Sequence, residues 1–451
     1  MEIEDTPLFR EAREIFASGQ TETSLSWKAR VHHGQDDQFY DPLLVTSVNI
    51  RRDYTRNYTD EVTCTLLIPL GKYARRIYPD RHKLEVTLYR FVRQEVSGGV
   101  LEDDAVVTER YSATLIDVGP SGVEGQGMEG NDEDSLDLLK LVDVHLQLFS
   151  KSVEQIHLVA VGGVFRRTTP GQLLLAMLTR ESAKVTINAE RAVLGVDMLT
   201  PSNQERKEQI VITQGTKLVD VPGYLQQRVG IYAAGLGSYL QGTHWYVYPL
   251  YDTTQFESRA VTLTVLVLPE RKFSDIERTY RKRADSVTVL LTSEVGFKDD
   301  SSVHYINEGN GARFADANAL LERSTVTIGN KTTMSRGVNN SEFSTDKTGN
   351  GFNNAPVPTQ RITANPFAQY SALNARNGGV FKGVWQNSDA SLLIPGMATR
   401  IVYADEGQVV ELYGVLLECD HISNKTGDFT SQRFINQSVL SFFVRKDSRL
   451  K

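Results

Sequence analysis

Apolar side chains at every second position, in segment after segment, constrain this chain more than any other feature. Between Glu61 and Pro69 the sequence sets Val62, Cys64, Leu66 and Ile68 on one face and Thr63 and Thr65 on the other. A period of two is the signature of a strand with one face in a core. The same alternation runs through Leu25, Trp27, Ala29 and Val31 in "SLSWKARVH", and through "LLVTSVNI" at 43–50. It continues in Leu84, Val86 and Leu88 and in "YSATLID" at 111–117. Strands at such even spacing predict a small antiparallel barrel or sandwich over 20–150. The pattern returns at 286 with "SVTVLLTSEV". In 392–423, Ile401 and Tyr403, the turn "ADEGQ", then Val410, Leu412 and Leu416 predict a hairpin. "INQSVLSFFVRK" at 435–446 adds a last strand, so a second β domain is expected over 286–451.

Between these regions the period changes. "TTPGQLLLAMLTRESAK" places Leu173, Leu174, Met177 and Leu178 at helical spacing behind a Thr-Pro start, and "DVPGYLQQRVGIYAAGLGSYL" at 220–240 does the same. With strands at 243–252 and 260–269, residues 151–285 read as a mixed α/β middle domain. Residues 1–19 predict a helix, with Thr6 as N-cap, Pro7 at the first helical position and a stripe of Leu8, Phe9, Ala12, Ile15 and Phe16. The fold class expected is mainly β with a mixed α/β insertion, two antiparallel β-barrel domains flanking the middle one. The 451 residues suit several cores. A long Asn/Gly-rich loop is expected at about 328–361, where apolar runs fail.

Chemical signatures are scarce. The histidines lack ligand spacing and neither H-E-x-x-H nor C-x-x-C occurs, so no metal or cofactor is expected. No nucleophile elbow or phosphate loop is present, and the reading is of a non-enzyme. Lone His145, His157 and His244 read as structural. Cys64 and Cys419 lie in alternating apolar runs as small buried hydrophobes, which points to folding in a reducing cytoplasm. The start is acidic where a secretory signal would be basic, and no apolar run is long enough to span a membrane.

The net charge of −7 disfavours a dedicated nucleic-acid binder. From Leu101 to Asp143 there are 12 acidic residues against two basic ones, among them Glu102, Asp103, Asp104, Asp132, Glu133 and Asp134. Residues 271–285 are locally basic, with six cationic and three acidic side chains. Tyr54, Arg56, Tyr58, Tyr73 and Tyr78 cluster in turns between strands. Amphipathic Tyr and Arg in such places cover the rim of a β domain or enter a protein interface, and they are the candidate interface residues here.

Three segments carry a family resemblance: "IRRDYTRNYTDEVTCTLLIPLGKYARRIYPDRHKLEVTLYR" (50–90), "GYLQQRVGIYAAGLGSYLQGTHWYVYPLYDT" (223–253) and "LLIPGMATRIVYADEGQVVELYGVLLECDHIS" (392–423). In this order the chain resembles the central baseplate hub proteins of contractile-tailed bacteriophages. The resemblance implies two tube-like barrels per chain and a homotrimer. Such a ring would adapt a six-fold tail tube, or tube-initiator ring, to a three-fold central spike. It also implies a tape-measure protein ending at the lumen, baseplate wedge proteins around the ring, DNA passing through without specific binding, and a place in the virion's tail. On that reading the acidic residues of 102–134 face the lumen. Departures from the pattern are the Asn/Gly-rich loop and the acidic loop. The alternatives are a glycan-binding or carbohydrate-active β protein using Trp27, Trp245 and Trp385, or another tail component such as a distal tail ring protein.

Overall fold

The computed structural model describes residues 7–17, 23–33, 38–96, 99–100, 105–116, 141–185, 193–268, 279–291, 293–298, 324–328, 331–338, 341–344, 365, 367, 370–371, 374–375, 378–405, 408–427 and 433–445. It is mainly β, as the alternation predicts. The first unit contains β1 (Thr23–His33), β2 (Gln38–Tyr40), β3 (Leu44–Asp53), β4 (Glu61–Pro69), β5 (Leu84–Val96), β6 (Gly99–Val100), β7 (Ala105–Leu115) and β8 (Leu141–Ser150). A helical turn, α2 (Leu70–Lys72) running on through Tyr73–Ile77, joins β4 to β5. The alternation in β4 is realised: Val62, Cys64, Leu66 and Ile68 are at most 4% exposed and enter one core with Val48, Val86 and Leu146. At about 25 cal/mol per Å² of apolar surface removed from water, each such side chain contributes roughly 1.5–3 kcal/mol.

The middle unit holds α3 (Lys151–Leu158), β9 (Ala160–Thr168), α4 (Pro170–Val185), β10 (Gly195–Met198), β11 (Lys207–Lys217), α5 (Val221–Arg228), β12 (Leu236–Gln241) and β13 (His244–Pro249). Its own core gathers Leu174, Leu178, Ile212, Leu225 and Trp245. The second unit contains β14 (Thr262–Val267), β15 (Tyr280–Lys282), β16 (Ser286–Leu291), β17 (Ser293–Lys298), β18 (Ser324–Ile328), β19 (Lys331–Val338), β20 (Ser341–Ser344), β21 (Gly378–Gln386), β22 (Ala398–Asp405), β23 (Gln408–Thr426) and β24 (Arg433–Arg445). The expected hairpin is present, with Ile401 opposite Leu412 and Asp405 opposite Gln408. Strand β14 lies in the stretch read as the middle domain, yet it pairs with β16 and β22, and Leu263 and Val265 enter the second unit's core.

Two expectations need correction. Residues 328–361 were expected as loop, but β18, β19 and β20 form an antiparallel three-stranded sheet whose last two strands lie inside that stretch. Thr, Ser and Lys can pair through the backbone without an apolar face, which is why periodicity missed them. The second unit is also not wholly antiparallel, because β14 runs parallel to both neighbours. It arrives from the middle unit, and parallel neighbours cannot be joined by a tight hairpin.

The six long strands of the first unit, in chain order, are β1, β3, β4, β5, β7 and β8. They pair in the sequence β1–β5–β7–β8–β4–β3. In the second unit, counting β16 and β17 as one strand, they are β14, β16–β17, β21, β22, β23 and β24. These pair as β14–β22–β23–β24–β21–β17. Both orders read first, fourth, fifth, sixth, third, second. In both, a helical turn joins the third strand to the fourth, the second example being Ala390–Leu392. Only the first strand differs in direction. By this order β4 corresponds to β21 and β5 to β22. Barrel closure is not detected in either unit. Strand β1 lies alongside β3 with no ladder between them among the described residues, leaving a groove of about 620 Å³ walled by Trp27, Arg30, Leu43, Phe91 and Phe434. In the second unit β14 pairs with β16 and β21 with β17, and Thr292, between β16 and β17 in the chain, lies outside the described residues.

Helix α1 (Pro7–Ala17) buries Ala12 and Ile15 on Leu266, Leu268, Leu290 and Val402. Glu11 meets Arg400 at 2.9 Å and Glu14 meets Arg281 at 2.7 Å, so part of the basic 271–285 stretch is taken up inside the chain.

Candidate functional site

The two β units are one continuous sheet. The 19-residue β23 pairs with β22 through Gln408–Val415, then turns the same edge to β3, with Glu418–Asn424 against Asp53–Ser47. Its other edge carries β24. Where β3 ends, all three units meet.

The turn from β3 to β4 is built locally. Asp53 Oδ1 accepts from the Thr55 and Arg56 backbone N–H groups at 3.0 and 3.2 Å and from the Thr55 hydroxyl at 2.6 Å. An Asp side chain that bonds its own backbone in this way sets a tight turn without help from elsewhere. The turn reaches the middle unit through Leu240 N–H donating to the Tyr58 carbonyl at 2.7 Å, and through the Tyr58 hydroxyl, 2.9 Å from His157 Nδ1. Tyr54 N–H donates to the Leu417 carbonyl of β23, and its ring stands edge-on to Tyr239 at 4.8 Å. Beneath them Arg52 donates from Nε to Asp60 at 3.1 Å and from Nη1 to the Ala390 carbonyl at 2.6 Å. Tyr239 donates to the other Asp60 oxygen at 2.9 Å. Burial alone would push the Arg52 guanidinium down, but Asp60 outweighs it and holds the group above its ordinary value. Arg52, Asp60, Tyr239 and Ala390 thus tie the first unit, the middle unit and the second unit with charge-assisted bonds.

A second polar centre lies along the joint. His421 is 2% exposed; its Nδ1 lies 2.9 Å from Ser438 Oγ and its Nε2 3.1 Å from Ser423 Oγ. Ser388 completes the cage, 2.7 Å from Ser438. Burial, reinforced by the positive charge of Arg52, pushes the imidazole down to about 4. Arg90 and Asp389, 3.4 Å apart, face it from β5 and from the turn before β22. With the imidazole and its three hydroxyl partners all buried, this cluster is a structural clamp.

Of the interface residues chosen from sequence, Tyr54, Arg56 and Tyr58 come together in the turn, while Tyr73 and Tyr78 sit on the helical connection from β4 to β5. Tyr54 and Tyr73 are buried within the chain, 2% and 8% exposed. The aromatic rings of this turn serve contacts within the chain because β3 delivers them where the units converge. Tyr58 is half-buried on His157, Arg56 is exposed, and Tyr78 is exposed with Arg81 stacked 4.5 Å from its ring. An open cavity of about 430 Å³, walled by Arg56, Tyr58, Asp220, Gln227 and Tyr251, separates the turn from α5. Glu102, Asp103, Asp104, Asp132, Glu133 and Asp134 lie outside the described residues. Of the three tryptophans named for the glycan reading, Trp245 and Trp385 are fully buried, each donating to a hydroxyl, of Ser182 and Thr279 respectively, while Trp27 is half-buried on the wall of the groove beside β1. Among the described residues no group of His, Cys, Asp and Glu could hold a metal ion. Arg52 and His421 both occupy inward phases of alternating strands, and an ionisable residue in that phase is the signal a sequence offers for them.

No protein-family model matches the chain, and no curated protein sequence does. Among solved structures it is similar to phage tail proteins. The 43 kDa tail protein of prophage MuSo2 from Shewanella oneidensis aligns at 12% identity over 94% of this chain and 98% of that one, with a TM-score of 0.45. A tail protein from Neisseria meningitidis MC58 aligns at 9% identity over 94% and 98%, with a TM-score of 0.42. The E. coli c3393 protein, a type VI secretion component described as similar to T4 tail proteins gp27 and gp5, aligns at 9% identity over 89% and 73%, with a TM-score of 0.37.

Proposed function

We propose that this chain is a structural hub of a phage tail baseplate, three copies forming a ring that adapts a six-fold tail tube to a three-fold spike. One observation carries the reading. Each chain holds two β units wound in the same strand order and fixed side by side in one sheet. A closed ring repeats the same contacts around its axis, so three such chains offer six similar surfaces to a tube and three identical ones to a spike. The three segments that resemble baseplate hubs fall on the first unit, the middle unit and the second unit. The hub works without catalysis: it meets the tube or its initiator ring on one face and the spike on the other, with wedge proteins around it and the tape-measure protein at its lumen. DNA passes through the ring. No helix among the described residues is long and apolar enough to cross a membrane, and the place assigned to the chain is the virion's tail. Copy number in the assembled tail tests the reading. Electron microscopy of the particle is expected to find three copies per ring, with the two β units of each chain related by about 60° about the axis. Six copies per ring, or two units on unrelated axes, overturns it.

A further inference from the structure

The joint inside the chain joins the second strand of one unit, β3, to the fifth strand of the other, β23. Because both units share one strand order, each also owns the other half of such a joint. Strand β7 is the fifth of the first unit, and β16–β17 is the second of the second unit. We propose that neighbouring copies pair the free edge of β17 with the C-terminal end of β7, repeating the internal joint between chains. This rests on the ring proposed above and names the contact that closes it.

Among the described residues, neither edge has a strand beside it where the repeat requires it to be open. In the first unit β1 lies beside the N-terminal half of β3, and β23 takes the C-terminal half. In the second unit β14 pairs with β16, the N-terminal half, through Ser286–Leu291. The C-terminal half, β17, is paired with β21 on one edge, and no described strand covers the other. On the fifth strands, β23 leaves β22 at Val415 and presents the same edge to β3 from Glu418 onward, while β24 holds the opposite edge. Likewise β7 leaves β5 at Ala113, with β8 on the opposite edge, so Thr114, Leu115 and Ile116 present the vacated edge. Ile116 is 39% exposed there, an apolar side chain with no strand beside it on that edge among the described residues. An unpaired edge is a template for another strand, and sheet addition satisfies its backbone groups. The contact is head-to-tail, and a heterologous contact that closes on itself makes a ring.

The test uses the full chain carrying Ile116→Cys and Lys298→Cys, treated with a short bismaleimide that tolerates a shift of register. Native Cys64 and Cys419 are buried and stay out of the reaction. Each single-cysteine chain is the control, and a circular dichroism spectrum matching the parent confirms folding. Light scattering is expected to give three times the 50.4 kDa chain mass, with covalent dimer and trimer on a denaturing gel from the double variant only. A threefold mass without cross-linking, for this pair and for Thr114→Cys with Lys298→Cys, overturns the joint and leaves the trimer standing. A single-chain mass without cross-linking up to the solubility limit overturns the joint and the trimer together.

Discussion

Acid should loosen the joint at His421 in a way that can be worked out beforehand. The imidazole is caged by Ser388, Ser423 and Ser438, with Arg52 and Arg90 on its flanks and Asp389 as the nearest opposing charge. Burial holds it near 4 in the folded chain, against an ordinary value of 6.5. The folded state therefore favours the neutral ring, and its contribution is complete above pH 6.5. That contribution is lost as pH falls, because the unfolded chain takes up the proton first. At 1.36 kcal/mol per unit, the loss is about 2 kcal/mol by pH 5 and about 3 kcal/mol below pH 4. The assay is urea unfolding followed by tryptophan fluorescence at pH 7.5 and pH 5.0, for the parent and for His421→Gln. Other groups titrate in both proteins, so the quantity of interest is the difference between their pH dependences. The parent should lose about 2 kcal/mol more than the variant. Equal losses would show that protonating His421 costs the fold nothing, and the clamp reading would fail.

Asp60→Ala strands the buried Arg52 guanidinium and should cost about 3–5 kcal/mol, read as a fall in the unfolding midpoint; a change near zero would mean Arg52 finds another partner. Gly396 has φ of 65°, and a Cβ there would enter the Tyr248 ring. Gly396→Ala should therefore destabilise by more than about 1 kcal/mol in thermal unfolding, whereas an unchanged midpoint would mean that Tyr248 moves aside freely. Ile15→Glu should release α1 from Leu266 and Val402 and make the segment before β1 a site of rapid proteolysis; protection equal to the parent's would refute the packing described for α1.

Much of the architecture is legible in the alternation itself, because a half-buried strand must repeat every second residue and β4 does so. The helices of the middle unit are legible for the same kind of reason: Leu173, Leu174, Met177 and Leu178 keep a helical period and are buried together. Strand β14 was legible as a strand but not as a member of the second unit. Val265 and Leu266 are both buried, on opposite faces, and a two-sided apolar run carries no record of which sheet it joins. Tyr54 shows the limit for single residues: a tyrosine among arginines reads as surface until the ladder between β3 and β23 closes over it. The pairing of Arg52 with Asp60 is local, eight residues apart, but its third partner, Tyr239, is brought in only by the fold.

The length of β23 has a mechanical consequence. A strand that serves two units without a break leaves no linker between them to act as a hinge. Twisting one unit against the other would have to part Glu418–Asn424 from Asp53–Ser47, at about 0.5–1.5 kcal/mol for each hydrogen bond. A pull along the strands loads that whole ladder in shear, so its bonds resist together and do not fail one at a time. The pair of units is a single stiff beam, and force delivered at either end of it reaches the other without being absorbed in between.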